Sequence, residues 1–89
     1  AYPADVARAT AGLAKVRYIR GRLDEAEQLF DEALKADPDS PGPMLEMYAF
    51  FQGQGRAAEG TARIQAVADR LPRASAPHRA LAHVALMES

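Results

Sequence analysis

Residues 32–41 read EALKADPDSP. A charged, helix-prone run carrying Ala33 and Leu34 meets Pro38, and a second proline follows at Pro41. Proline has no backbone N–H and clashes with the preceding helical turn, so a helix stops here. Whether this is a lone helix end or one beat of a repeat decides the fold. Counting outward in both directions settles it. Pro38 and Pro72 lie 34 residues apart, and so do Gly21 and Gly55. At the same offset Phe30 meets Ile64, Ala33 meets Val67, Ala26 meets Gly60 and Leu13 meets Met47. Each pair is alike in size or apolarity, and the punctuation residues take part. A fixed period of this length is the mark of a repeat architecture.

Each unit reads as two helices. Over residues 4–20 the apolar positions Val6, Ala9, Leu13, Val16 and Ile19 recur every three or four residues, a helical stripe. Gly21 ends that helix, and Arg17 and Arg20 complement the dipole of its last turn. The second helix opens with Asp24 and Glu25, carries Ala26, Leu29, Phe30, Ala33 and Leu34 on one face, and closes by Pro38. In the second unit Pro41 and Pro43 bracket a helix start with Ser40 as its expected N-cap. That helix runs through Met44, Met47, Tyr48, Phe50 and Phe51 to Gly53, and its partner covers residues 56–71 up to Pro72. A fifth helix is expected from a Ser75 cap to the end. No strand pattern is present.

Composition agrees with an all-α chain. Of 89 residues 48% are hydrophobic, but only 7% are aromatic and Trp is absent. Ala, Leu, Val and Met suit close helix packing. The formal net charge of -1 gives no strong pull toward nucleic acid or an anionic membrane surface. Absence of cysteine excludes disulfides, zinc–thiolate sites and thiol catalysis. No apolar run is long enough to insert into a membrane. Arg outnumbers Lys nine to two in an Ala-rich chain, which suggests a GC-rich bacterial gene. A start at Ala1 reads as a piece of a longer protein, and neither cytoplasm nor periplasm is chosen.

The 34-residue helix–turn–helix period resembles the tetratricopeptide repeat. Leu13, Ala14, Gly21, Leu23, Ala26, Phe30, Ala33 and Pro38 carry the resemblance, most densely in GRLDEAEQLFDEALKADP, residues 21–38. The second unit diverges: Tyr48 stands where the first has Ala14, Ala57 where it has Leu23, and Gly60 where it has Ala26. The bulk has changed helices, which conserves volume. The resemblance implies one all-α domain over residues 1–89, an α–α superhelix of two helix–turn–helix repeats (about 7–40 and 41–74) plus a terminal helix at 75–89.

Little points to chemistry. His78 and His83 are five apart, roughly 140° around a helix, so they do not share a metal easily. The acids of residues 24–39 read as a solvated face, and GQG at 53–55 lacks the lysine of a phosphate loop. No nucleophile–base pair is present, so no catalytic residue, cofactor or metal is assigned and no enzyme is expected. The cations Lys15, Arg17, Arg20 and Arg22 are expected to pair with acids of the adjacent helix.

The resemblance implies a protein or peptide partner held on the concave side, which the first helix of each pair lines. From the first unit that places Arg8, Lys15, Tyr18 and Ile19 in the groove. From the second it places Leu45, Glu46, Ala49 and Gln52, and from the fifth helix Arg79, His83, Leu86 and Met87. Tyr18, Leu45 and His83 are expected at the floor, and the mix suits an extended peptide or helix of some acidic character. A carboxylate clamp of the family's kind is disfavoured, because Ala11 and Glu46 stand where Lys and Asn would be wanted. The alternative is a scaffold that self-associates. HRALAHVALM, residues 78–87, is apolar nearly all round, and Leu81, Val84 and Ala85 do not make a polar cap. Further repeats, or a second copy in a homodimer, would cover them.

Overall fold

Gly21 and Gly55 both take left-handed backbone, with φ +78° and +72°. Only glycine adopts this freely, and at each it closes the same device. The Gly21 N–H donates to the Tyr18 carbonyl at 3.0 Å and the Arg22 N–H to the Arg17 carbonyl at 2.9 Å. Thirty-four residues later the Gly55 N–H donates to Gln52 at 3.0 Å and the Arg56 N–H to Phe51 at 2.8 Å. These are two Schellman caps in one register. Each turns a helix back on itself.

The chain is seen in a computed structural model that describes residues 2–88. Five helices follow in order: α1 Pro3–Ile19, α2 Leu23–Ala36, α3 Pro41–Gly53, α4 Ala57–Arg70 and α5 Ser75–Glu88. There is no strand among the described residues. The expected five-helix all-α repeat fold is present, with Ser89 outside the described part of the terminal helix.

Helix α1 packs on α2 and α3 on α4, while α1 also meets α3 and α3 meets α5. By contrast no Cα of α2 lies within 8 Å of one in α4. The odd-numbered helices therefore form a close inner row and α2 and α4 splay apart as an outer row. Long side chains bridge that outer gap. Arg56, at the start of α4, reaches across to Glu27 at 3.1 Å while holding Glu59 of its own helix at 2.5 Å, and Arg63 pairs across with Glu27 at 2.9 Å and with Asp31. Both guanidinium groups also sit over the Phe51 ring, 4.9 and 5.0 Å from its centroid. The hydrogen bond to Arg56 holds the Glu59 carboxyl below its ordinary range despite some desolvation.

The large apolar residues of α1 do not face the core: Val6, Leu13 and Val16 are 40%, 42% and 41% exposed, Ile19 is 83% exposed, and Ala9 is exposed too. The buried face is Ala7, Ala11 and Ala14. Against α2, which buries Ala26, Phe30 and Ala33, methyl-sized side chains let the backbones close in, and a leucine there would hold them apart.

The second unit reaches the same packing with the bulk on its other helix. Tyr48 is 1% exposed and lies against Gly60, where an added Cβ would meet the tyrosine ring at 3.1 Å and the Phe51 Cβ at 3.3 Å. The Tyr48 hydroxyl donates to the Glu88 carboxylate and so ties the end of α5 to α3. That hydrogen bond, and burial after it, push the Tyr48 phenol above its ordinary value.

The helix starts differ from expectation. Ser40 precedes α3 but makes no side-chain capping bond, and Ser75 is the first residue of α5 rather than its cap. The first turn of α5 is served from 37 positions back: Asp39 Oδ1 accepts the Ala76 N–H at 2.8 Å. Asp39 is itself fixed by its own N–H donating to Asp37 Oδ1 at 3.1 Å. A carboxylate there satisfies a free N–H and meets the positive end of the helix. Asp39→Ala is expected to cost about 1 kcal/mol, read as a lowered urea midpoint at unchanged slope.

Candidate functional site

The inner row carries the candidate site. Tyr18 stands in the last turn of α1, held there by the glycine cap that follows. Its ring meets Phe50 of α3 edge-on, with centroids 5.2 Å apart and planes at 80°. Its hydroxyl sits where a side chain at Gly53 would begin, 2.9 Å from that position, so the bare backbone at the end of α3 makes room for it. Phe30 from α2 closes in behind, 5.2 Å from Phe50.

Between α1 and α3 these rings leave an apolar cavity of about 170 Å³, lined by Lys15, Tyr18, Phe30, Glu46, Ala49 and Phe50. Its rim is charged on both sides. Lys15 Nζ of α1 lies 3.0 Å from Glu46 Oε2 of α3, and the pair crosses from one inner helix to the next. The site therefore combines an apolar slot with a cation and an anion that already compensate each other. Pockets for whole small ligands run to roughly 300–1,000 Å³. This slot is smaller than that.

Of the residues expected in the groove, Lys15, Tyr18, Glu46 and Ala49 come together around the cavity. The others do not line it. Arg8 is exposed and paired with Asp5 at 2.6 Å, Ile19 and Gln52 are exposed at helix ends, and Leu45 is half-buried against the core rather than at a floor. On α5, His83 and Arg79 are exposed, the latter with Nη2 3.5 Å from Ser75 Oγ, and Leu86 and Met87 are 76% and 46% exposed. Ala11, compared above with a clamp cation, is buried and cannot present a side chain to the groove. Val84, expected on a self-association surface, is 3% exposed and belongs to the core. Leu81 is half-buried and Ala85 exposed. Among the basic residues of α1 and the following turn, Arg17 and Arg22 approach Glu25 at 4.0 and 3.5 Å, while Lys15 reaches forward to α3 instead.

Phe30 and Phe50 were not among the expected groove residues, yet they form the cavity wall. No group of three or more metal-ligating side chains occurs among the described residues. No helix among them is long and apolar enough to cross a membrane.

A tetratricopeptide repeat family model matches residues 17–84. Comparison with curated proteins and with solved structures returns no match. The matched span holds both glycine caps, both proline stops and the inner-row contact between Tyr18 and Phe50. Repeats of this family are typically non-catalytic modules of protein–protein interaction. With paired helices in a 34-residue register and a family match over most of its length, the chain belongs to the tetratricopeptide repeat family.

Proposed function

We propose that the chain binds an extended peptide or a helix of a partner protein along α1, α3 and α5, anchored by one apolar side chain in the slot beside Tyr18. The observation that carries this reading is the cavity itself: an apolar recess on the inner row, walled by three aromatic rings and rimmed by the Lys15–Glu46 pair. Aromatic walls give contact area at low entropic cost, which is why such residues dominate binding energy. The compensated rim favours an apolar anchor flanked by polar groups over a strongly acidic segment. The exposed Arg79 adds a cation further along, on α5, with the exposed His83 on the same helix.

The test selects binders from a displayed library of amphipathic peptides. Peptides that bind are expected to share one apolar position. Tyr18→Ala and Ala49→Arg should each weaken them about 10- to 100-fold, or roughly 1.4–2.7 kcal/mol. Ala49 is exposed, so arginine there fills the slot from outside and leaves the core alone. Binders indifferent to both variants contradict the reading.

A further inference from the structure

The ion pairs that cross the outer gap stop one rung short. Arginine recurs every seventh residue at Arg56, Arg63 and Arg70. Seven residues are close to two helical turns, so the three stand in one line along α4. The first two find acids on α2: Arg56 reaches Glu27, and Arg63 holds Glu27 and Asp31, 36 and 32 positions back. The same offsets from Arg70 lead to Leu34 and Pro38, with Lys35 next to the first. Where the ladder needs a carboxylate, α2 supplies an apolar side chain and a second cation.

Lys35 and Arg70 are exposed, and neither has an ion-pair or hydrogen-bond partner among the described residues. Asp69, beside Arg70, accepts a hydrogen bond from Gln65 at 2.9 Å instead, and Asp37, two residues after Lys35, accepts the Asp39 N–H at 3.1 Å. The two cations line a cavity of about 160 Å³. Leu34 and Val67, 5% and 6% exposed, form its apolar floor, and the exposed Ala66 lines it from α4. Its charged lining is three cations, Lys35, Arg63 and Arg70, against the carboxylate of Asp31, which Arg63 already holds. The cleft is therefore an apolar recess with uncompensated positive charge on its rim.

We propose that this outer cleft binds an acidic segment of a partner protein, a carboxylate completing the third rung between Lys35 and Arg70 while an adjacent aliphatic side chain packs on Leu34, Ala66 and Val67. Charge complementarity selects the occupant. A carboxylate accepts two parallel hydrogen bonds from one guanidinium, the pairing open to Arg70, and Lys35 adds a second cation. Exposed ion pairs alone contribute little, so the apolar contact shares in holding the segment, and a bare anion lacks it. The cleft lies on the outer row, between α2 and α4, whereas the Tyr18 slot lies between α1 and α3. The inference is independent of the groove reading.

Amide NMR titration with a capped pentapeptide, Gly-Leu-Glu-Leu-Gly, tests it. So short a probe is expected to bind with a dissociation constant on the order of 1 mM. Shifts should centre on residues 34–35 and 66–70 and saturate together. The glutamine counterpart, Gly-Leu-Gln-Leu-Gly, should bind about 10-fold more weakly, and so should the first peptide to Arg70→Gln. Lys35→Glu should lose the binding as well, because the substituted carboxylate pairs with Arg70 and completes the ladder from within. Both positions are exposed, so the amide spectra of the variants should show an intact fold. Equal binding of the two peptides overturns the proposal, as does affinity unchanged in either variant. So do shifts confined to the Tyr18 slot, or none at about 5 mM peptide, well above the expected constant. Inorganic phosphate that produces the same shifts at the same concentration also overturns it, because the cleft would then take any anion.

Discussion

Phe30→Ala is expected to destabilise the domain by about 3–5 kcal/mol. Phe30 is 1% exposed and stands where the first unit hands over to the second. Its ring lies 5.2 Å from Phe50, which in turn meets Tyr18 and Phe51 at the same separation. Removing it opens a void that α1, α2 and α3 cannot all close without giving up their own packing. A domain of this size has roughly 5–15 kcal/mol in total, so the variant should be close to unfolding at room temperature. Urea denaturation measures the loss, with Phe30→Leu as control at under about 1.5 kcal/mol. A loss below about 1 kcal/mol for the alanine variant would mean that the units do not share a core.

The second large effect is expected at Gly60. Glycine in a helix interior is ordinarily improved by a side chain, by up to about 1 kcal/mol. Here the sign reverses. The first carbon would already press on Tyr48 and Phe51 at 3.1–3.4 Å, and Tyr48 has little freedom to withdraw because it is buried and bonded to Glu88. Gly60→Val adds two further methyl groups at that contact and should cost about 3 kcal/mol. In a Tyr48→Ala background the same substitution should cost about 1–2 kcal/mol less, because the ring it strikes is gone. Equal costs in the two backgrounds would show that Tyr48 and Gly60 are not exchanging volume.

The repeat was legible because its punctuation is physical. A glycine that must take positive φ and a proline that must end a helix leave marks that survive divergence, and both recur at 34 residues. The inner face of α1 was not legible for an equally physical reason. Periodicity reads large apolar side chains, so Val6, Leu13 and Val16 outweighed Ala7, Ala11 and Ala14, whereas the close helix pair is built on alanine. Of the eight residues that the family resemblance placed on the groove side of α1 and α3, Lys15, Tyr18, Glu46 and Ala49 line one cavity. Leu45 did not, since a leucine at the edge of two faces gains more by turning inward, and it packs on the core. Phe30 and Phe50 serve the core and the slot at once, a double role that no spacing announces. The capping of α5 by Asp39 was equally out of reach, because it joins residues 37 apart through a turn.

The central claim is that α1 lays its alanine face inward and brings Tyr18 onto α3. Nuclear Overhauser contacts between assigned side chains test it most directly. The account predicts contacts from the Tyr18 ring to the Phe50 ring and the Gly53 α-protons, with the Ala11 and Ala14 methyls close to residues of α2. Leu13 and Val16 methyls in contact with Phe30 within the same molecule, and a Tyr18 ring with no neighbour on α3, would contradict it.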